Sequence, residues 1–366
     1  NRVEAHDPGG GGSAVRCWPC RRIWRHSITA AAPSRGKLSR DAVMLAVKSI
    51  VVDRMSIARV AANLGVAWNT ASDAILAAGT ELLIDTPDRL DGVTIVGVDE
   101  HAWRHTRHGD KYVTVIIDLT PTRTRTGPSR LLAVVEGRSK QAFKTWLEAQ
   151  TDSFRNRVEI VAMDGFTGYK SAAVEAIDTV TTVMDPYHVV ALVGDKLDRC
   201  RQRIQQETLG HRGRSGDPLY GIRRVARTRA SLLTEKQQHR LAKVLADERH
   251  VAFEVTWSIY QDVIDAYQAP DPAEGKKIMT RVIDAIKAGV PAGLDELRSL
   301  GQTMKRRRDD ILAFFDHPGT SNGPTEAING LLEHLRGTAR CFRSIVNYIA
   351  YAEFRISDGM STSGLC

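Results

Sequence analysis

Residues 93–99 read VTIVGVD and residues 158–165 read VEIVAMDG. In each stretch a run of mostly apolar residues leads to an aspartate, Asp99 in the first and Asp164 in the second. Short apolar runs predict buried strands, and parallel neighbours would bring both aspartates to one edge of a sheet. Two carboxylates held close repel each other unless a divalent cation or a shared proton lies between them. The pattern therefore favours metal-assisted phosphoryl chemistry as the first hypothesis.

The residues around these two stretches predict an α/β domain built on a mixed sheet. The order is three strands, then a helix, a strand, a helix and a strand, which places the first strand parallel to the fourth. That order is the ribonuclease-H-like arrangement. Asp118 ends the second strand, which runs antiparallel to the first, so we expect it at the far end of the sheet and exclude it from the site.

Three short helices are predicted before the sheet. Ser39 is a favourable N-cap for the first helix, and Gly65 suits a tight turn between the second and the third. This spacing is typical of a helix-turn-helix, although three short helices also occur as simple structural bundles. In the first interpretation the start of the third helix reads base edges in double-stranded DNA. The residues that we expect there are Trp68, Asn69, Thr70 and Ser72.

The chain after the sheet is predicted to be almost entirely helical, with an all-α insertion that interrupts the catalytic core. Polar and glycine-rich stretches set the domain boundaries. We expect an irregular N-terminal segment (1–36), a helix-turn-helix domain (37–80), the first part of the core (93–205), the insertion (206–318) and C-terminal catalytic helices that complete the core (319–356).

Positive charge is concentrated within the predicted insertion and just before it. The net charge is +8, which favours an anionic partner. Each basic run alone is explained as a solvated helix face, but two runs flanking a candidate metal site favour a track for the DNA backbone. The cations that we select for this track are Arg201, Arg203, Arg223, Arg224, Lys305, Arg306 and Arg307.

Several classes of protein are disfavoured. No apolar stretch approaches about 18 residues, so we expect no membrane span. The first residues lack the basic-then-apolar pattern of a signal peptide, and the five scattered cysteines suggest a reducing compartment.

Only Cys17 and Cys20 have the spacing of metal ligands. A structural zinc ion needs four ligands, and only His6 and His26 lie nearby. We therefore expect an unmetallated remnant of a zinc module, or a disordered end, rather than a zinc site.

A third carboxylate ligand must come from an element that lies over the same sheet edge. Glu326 is our candidate, because it falls in the first turn of a predicted helix whose N-terminus also suits the approach of a phosphate. The alternative is that Glu326 closes a capping box at this helix start. Carboxylate oxygens are the ligands preferred by Mg²⁺, and Mn²⁺ accepts the same donors.

Two further residues follow the last predicted strand. Asp185 is a possible outer partner of the metal site, although N-capping of the next helix explains it as well. His188 is a possible general base or phosphate contact, and a packed histidine is the alternative. His101, His105 and His108 show no zinc-binding spacing with a glutamate base, which disfavours a zinc hydrolase.

With these residues identified, the chain resembles bacterial insertion-sequence transposases of the DDE type, specifically the ISL-three group. The resemblance covers roughly residues 38–356 and depends on the motifs together. The matching segments are Gly97–Ala102 with Gly109–Tyr112, Met163–Gly165 with Tyr169, Asp185–Val190, and Ser321–Glu326 with Asn329.

The resemblance implies a ribonuclease-H-like catalytic domain with Asp99, Asp164 and Glu326 as the metal-binding triad. It also implies an N-terminal helix-turn-helix that reads the terminal inverted repeats, and an α-helical insertion before the glutamate. Family members usually carry an N-terminal zinc module with more cysteines, so Cys17 and Cys20 alone are a departure from the pattern.

We therefore predict a DNA transposase of the bacterial cytoplasm, associated with the nucleoid. It would use Mg²⁺ or Mn²⁺ to hydrolyse DNA at the element's ends and then join the freed 3′-hydroxyl to target DNA. Synapsis of two ends suggests a homo-oligomer in action. The alternatives are a structure-selective nuclease or resolvase on the same fold, and a catalytically decayed DNA-binding regulator.

Overall fold

A computed structural model describes residues 3–6, 14–17, 22–25, 37–106, 111–211, 213–338, 342 and 344–357. Near the N-terminus three short strands pair antiparallel: β1 (Val3–His6), β2 (Ala14–Cys17) and β3 (Ile23–Arg25). This differs from the irregular segment expected over residues 1–36. The β-branched residues in these stretches favour extended backbone, and the expectation gave more weight to the glycines between them. Two of the possible zinc ligands, Cys20 and His26, lie outside the described residues.

Three helices follow, as the sequence predicts: α1 (Arg40–Val51), α2 (Ile57–Asn63) and α3 (Trp68–Gly79). The hydroxyl of Ser39 accepts a hydrogen bond from the backbone N–H of Ala42, which confirms the predicted N-cap. Gly65 has a φ of +62°, a left-handed conformation that favours glycine and allows the sharp turn before α3. A π-helical turn at Thr80–Ile84 continues directly from α3.

The centre of the molecule is a five-stranded mixed sheet with the order β6-β5-β4-β7-β8. β4 pairs antiparallel with β5 and parallel with β7, and β7 pairs parallel with β8, as the predicted strand order requires. The strands are β4 (Ile95–Ala102), β5 (Tyr112–Asp118), β6 (Arg130–Glu136), β7 (Ile160–Met163) and β8 (Thr181–Met184).

Short helices connect the strands: α4 (Thr120–Thr124), α5 (Lys140–Glu148), α6 (Asp152–Arg157) and α7 (Thr167–Ala176). α5 and α7 pack against each other. α6 was not predicted; it is a short helix of 6 residues whose N-cap, Thr151, accepts a hydrogen bond from the backbone N–H of Phe154. So short a helix leaves almost no periodic signal in a sequence.

The helical region begins with the long α8 (Pro186–Leu209). Its hydrophobic face packs with the insertion into one large cluster, and none of the helices in the described ranges is long and apolar enough to cross a membrane. The insertion also contains two 3₁₀ turns, at Ala230–Leu232 and Glu248–His250. Its helices are α9 (Arg223–Ala226), α10 (Glu235–Leu245), α11 (Val251–Gln268), α12 (Pro272–Ala288), α13 (Asp295–Arg306) and α14 (Arg308–Asp316).

Two C-terminal helices, α15 (Gly323–Thr338) and α16 (Ile345–Ser357), return to the sheet. α15 lies over β4 and β5, α16 lies over β6, and α14 covers the edge strand β8. α1 and α3 pack on α16, where the ring of Phe354 lies so close to Gly79 that a Cβ there would be 2.7 Å from it. The N-terminal helices therefore share one hydrophobic core with the sheet.

Candidate active site

Three aspartates lie side by side at one edge of the sheet. Val98 is paired in register with Met163, and Met163 with Met184. The next residue in each chain segment is an aspartate: Asp99, Asp164 or Asp185. Adjacent strands lie about 4.8 Å apart, so the predicted neighbourhood of Asp99 and Asp164 is confirmed at the level of the backbone.

Asp99 is the most strongly perturbed carboxylate of this group. Its side chain is buried, with Oδ1 accepting a hydrogen bond from the backbone N–H of Glu100 at 2.8 Å and Oδ2 accepting one from Asn329 Nδ2 at 3.1 Å. Burial, together with the negative charge of Asp164, raises the pKa of Asp99 to about 6 against the opposing hydrogen bond from the backbone N–H of Glu100. A cation between the two carboxylates would relieve both effects.

Asp164 has one engaged oxygen and one that is open. Oδ1 accepts a hydrogen bond from the backbone N–H of Phe166 at 2.8 Å, which forms a tight turn after β7. Within the described residues, Oδ2 accepts no hydrogen bond, and neither Asp164 nor Asp99 forms an ion pair with a lysine or arginine. These uncompensated oxygens are the donors that Mg²⁺ or Mn²⁺ prefers.

Asp185 joins two distant parts of the chain. Its Oδ2 accepts a hydrogen bond from the backbone N–H of Tyr187, which confirms the predicted N-cap of α8. Its Oδ1 accepts hydrogen bonds from Ser321 Oγ at 3.0 Å and from the backbone N–H of Asn322 at 2.6 Å. Both oxygens are thus engaged, Oδ2 in capping α8 and Oδ1 in positioning the start of α15. His188, in the first turn of α8, is close enough to Asp99 to lower its pKa.

The start of α15 is fixed directly on β4. Asn322 Nδ2 donates to the carbonyl of Val98 at 3.2 Å, and Asn322 Oδ1 accepts from Thr325 Oγ1 at 2.5 Å. A Cβ on Gly97 would lie 2.7 Å from Asn322 Oδ1, so glycine is needed there for the close approach. These contacts bring α15 over the strand that carries Asp99.

Glu326 is not gathered with the two aspartates in this structure. Its side chain is exposed, and in the described part of the chain no three His, Cys, Asp or Glu side chains are arranged to hold a metal ion. The capping-box alternative also lacks support, because Glu326 makes no hydrogen bond to the described backbone before it. Asn329 lies one turn later on α15, and it is this residue that reaches Asp99. The i, i+3 spacing from Glu326 was the sequence signal that could have identified Asn329 as a site residue.

The remaining predicted residues divide by exposure. Asp118 is buried opposite Val96 and pairs with Arg130 at 2.9 Å, far from the site edge, as predicted. His101 is buried against Tyr348, and burial lowers its pKa to about 4. His105 is exposed, and His108 lies outside the described residues.

Only some of the cations predicted to form the basic track are exposed; others are paired with carboxylates of the chain. Arg201 hydrogen-bonds to Asp198, and Arg203 is held by Glu207 and Glu296, so internal carboxylates occupy both guanidinium groups. Arg223 also pairs with Asp198 but remains exposed. Arg224, Lys305 and Arg306 are exposed and form no ion pair within the described residues.

Arg307 differs from the expectation of a DNA contact. It is 3% exposed and its Nε lies 2.8 Å from Asp310 Oδ2, which also interacts with Lys170. The chain turns from α13 to α14 at this residue, so the guanidinium points inward although its neighbours in the run point outward. Its Nη2 lies 3.4 Å from the carbonyl oxygen of Asp164, which places the pair beside the candidate site.

The predicted recognition residues on α3 differ in their exposure to solvent. Trp68 is 44% exposed and Asn69 is exposed, and both border a groove of about 740 Å³ between α3 and the C-terminal helices. Thr70 is half-buried. Ser72 is buried on the side of α3 that packs on α16. The prediction that it faces DNA is therefore wrong.

Comparison with known proteins identifies the family. A search of curated proteins finds no match. The family model for ISL3-type DDE transposases (DDE_Tnp_ISL3, described as a transposase) matches residues 96–352, a range that contains all three predicted ligands. Since the match covers more than half of the chain, the protein belongs to this family of insertion-sequence transposases.

Proposed function

We propose that this transposase cuts DNA at the ends of its element by divalent-metal-assisted phosphoryl transfer, with Asp99 and Asp164 as metal ligands. The observation that supports this most directly is the pair of carboxylates on adjacent parallel strands without a cationic partner among the described residues. Bound Mg²⁺ or Mn²⁺ would make the attacking oxygen more acidic and neutralise charge on the leaving oxygen.

Glu326 is our proposed third ligand. It sits in the first turn of α15, the helix that Asn322 and Asp185 fix over β4. Because the side chain is exposed, it would turn or shift toward the aspartates when metal and DNA bind. The N-terminus of α15 would face the DNA backbone, where its helix dipole favours a phosphate.

The residues of the chain then have separate tasks in two chemical steps. Asp99, Asp164 and Glu326 would position the metal while a water oxygen attacks the phosphorus and the bond to the 3′-oxygen breaks. The freed 3′-hydroxyl would then attack a phosphodiester of target DNA and displace the 3′-oxygen of the target strand, which leaves as a hydroxyl, with the same carboxylates in place. Asn329 would hold Asp99 in its orientation throughout, since it donates to Oδ2.

DNA binding is proposed for two exposed surfaces. Trp68 and Asn69 at the start of α3 would read base edges in the terminal repeats. Arg224, Lys305 and Arg306 on the insertion would contact phosphates, so their removal should lower both affinity and its salt dependence. Two DNA ends must meet in one complex, and we propose a homo-oligomer for that step.

The test is cleavage and joining of duplexes that carry the element's ends, with Mg²⁺ and with EDTA. Asp99→Asn and Asp164→Asn should lower cleavage by about 10³-fold or more, a loss typical of removing a residue central to the chemistry. Glu326→Gln should do the same, although glutamine retains capping ability, which separates ligation from capping. Glu159→Gln is the matched control, since Glu159 is exposed and precedes β7, at the far end from Asp164.

Three outcomes would count against the proposal. Cleavage by Asp164→Asn at the wild-type rate would contradict the proposed metal mechanism. Cleavage of branched DNA without any strand joining would favour the nuclease alternative. DNA binding without cleavage under any metal condition would favour a decayed regulator.

A further inference from the structure

Two aromatic side chains are exposed at the sheet edge that carries the aspartates. Phe166 is 41% exposed and Tyr187 is 62% exposed. Phe166 lies two residues after Asp164, and Tyr187 lies two residues after Asp185. Met163 and Met184, the last residues of β7 and β8, are paired in register, so the two segments that carry these rings leave adjacent strands side by side. Single exposed apolar residues are common, but two aromatic rings that follow adjacent strands beside a charged site favour a binding surface.

The ring of Phe166 is held in one orientation by its neighbours. It packs edge-to-face on Tyr169, with ring centroids 5.1 Å apart and an interplanar angle of 85°. Tyr169 is fully buried, and its hydroxyl lies 3.3 Å from Thr114 Oγ1, so the supporting ring is itself fixed. A Cβ on Gly168 would lie 2.3 Å from the Phe166 ring, so the ring occupies space that only a glycine leaves open.

The backbone N–H of each aromatic residue donates a hydrogen bond to a neighbouring aspartate. The N–H of Phe166 donates to Asp164 Oδ1 at 2.8 Å, and the N–H of Tyr187 donates to Asp185 Oδ2 at 3.0 Å. The Tyr187 ring also packs edge-to-face on His188 at 5.4 Å. The Phe166 ring is therefore presented before a ligand arrives, whereas the backbone hydrogen bond of Tyr187 fixes only the point at which its ring leaves the chain.

The position of the rings indicates what they bind. They stand at the starts of α7 and α8, next to the carboxylates proposed to act on a phosphodiester through a metal ion. A flat apolar ring beside a phosphate site matches a nucleotide, whose base offers a flat face of its own. In a paired duplex both faces of a base are covered by its neighbours, so only an unpaired or frayed base can stack on a protein ring.

We propose that Phe166 and Tyr187 form a stacking site for an unpaired nucleobase beside the phosphate to be cut. The site would hold a frayed DNA end open while the carboxylates act on the backbone. This inference rests on the proposed function, and it adds a requirement for local strand separation. Stacking of one base on an aromatic side chain changes affinity by roughly 5- to 150-fold.

The experiment measures binding without chemistry, by fluorescence anisotropy of a labelled oligothymidylate and of a fully paired duplex in EDTA. Phe166→Ala and Tyr187→Ala should each weaken oligothymidylate binding by about 5- to 150-fold and change duplex binding by less than about twofold. Tyr220→Ala is the control, since Tyr220 is 47% exposed on the insertion and should have no effect.

Phe166→Leu separates stacking from packing, because leucine still covers Tyr169 but offers no aromatic face. It should behave like Phe166→Ala, and Phe166→Trp should retain wild-type binding. Wild-type oligothymidylate binding in Phe166→Leu would overturn the proposal. So would a loss of self-association in sedimentation with unchanged DNA binding, since the rings would then belong to a contact between copies.

The same proteins distinguish this inference from the proposed function. Asp164→Asn should retain oligothymidylate binding while it loses cleavage. If the wild type cleaves no end-bearing DNA yet the aromatic variants still lose oligothymidylate binding, the stacking site stands and the proposed function falls. If cleavage follows the aspartates but the aromatic variants bind and cleave as the wild type, only the stacking site falls.

Discussion

Asp99 and Asp310 are both buried aspartates in this transposase, yet their surroundings are opposite. Asp310 is 1% exposed and accepts a hydrogen bond from Thr182 Oγ1 at 2.6 Å, and both Lys170 and Arg307 lie at 2.8 Å from its oxygens. Asp99 is 8% exposed, receives one backbone and one amide hydrogen bond, and has Asp164 as its neighbour.

The contrast shows which carboxylate the protein neutralises by itself. The charge of Asp310 is met by two cationic side chains, and removing one member of such a buried cluster would leave an uncompensated charge. The charge of Asp99 is met by no lysine or arginine within the described residues and only weakly opposed by His188, so ionisation there costs free energy until a cation from solution arrives. One site is closed and structural, and the other is left for a ligand.

The largest expected effect comes from removing the charge of Asp310. Asp310→Asn leaves the buried guanidinium of Arg307 and the ammonium of Lys170 without their counterion, and should lower the free energy of unfolding by about 3–5 kcal/mol. Chemical denaturation measures this loss. Asp316→Asn, on the same helix with a surface pair to Lys276, should cost less than about 1 kcal/mol. Equal, small losses in both variants would show that the cluster around Asp310 is not structural.

The second variant, Asp99→Asn, is expected to raise the free energy of unfolding. The pKa of Asp99 is raised from 3.8 to about 6, so the folded protein holds this proton more tightly than the unfolded chain. Stability therefore falls as pH rises from about 4 to about 6, and stays lowered above that range. In EDTA at about pH 8, Asp99→Asn should raise the free energy of unfolding by about 2–3 kcal/mol, and by little at about pH 4.

The asparagine in that variant still has partners. Its carbonyl can accept from the backbone N–H of Glu100, and rotation of the Asn329 amide lets Oδ1 of Asn329, which has no partner here, accept from the new side chain. Denaturation at both pH values, with the exposed Asp178→Asn as control, tests the claim. A gain that is equal at both pH values would contradict an origin in the charge of Asp99.

The smallest effect tests geometry instead of charge. Gly97→Ala places a Cβ 2.7 Å from Asn322 Oδ1 and 2.8 Å from Ile117 Cγ1, and should cost about 1–3 kcal/mol through overpacking. Gly330→Ala on α15 meets no atom within 4 Å and should instead stabilise by about 0.5–1 kcal/mol. If both changes stabilise, α15 does not approach β4 as closely as the contacts of Asn322 indicate.

The sheet and its two aspartates could be predicted because local signals agree there. In β4 and β7 an apolar run leads to an aspartate, although β4 continues past Asp99 to Ala102, and the order of elements leaves few ways to arrange the strands. The exclusion of Asp118 followed from strand direction alone and is confirmed by its pairing with Val96. The caps at Ser39 and Asp185 were predictable for the same reason, since a cap needs only a few residues of sequence.

The errors arise where a distant element decides which way a side chain faces. Ser72 is buried because α3 packs on α16, nearly 280 positions later, and no periodicity in α3 reveals that contact. Arg307 is buried because Asp310 and Lys170 meet across 140 positions. Arg203 is the exception, since Glu207 four residues on was a visible partner.

Asp185 has a consequence for how this family can vary. The chain leaves the sheet at Asp185 and returns to the same carboxylate at Ser321, 136 positions later. The segment between these points is one long insertion, and hydrogen bonds to Asp185 hold its two ends together. Helices α9 to α13 pack mainly on α8, on α14 and on one another rather than on the sheet, so changes on their outer faces can leave the residues at these two ends in place. New DNA-contacting surfaces could be acquired in that segment while the cutting geometry stays the same.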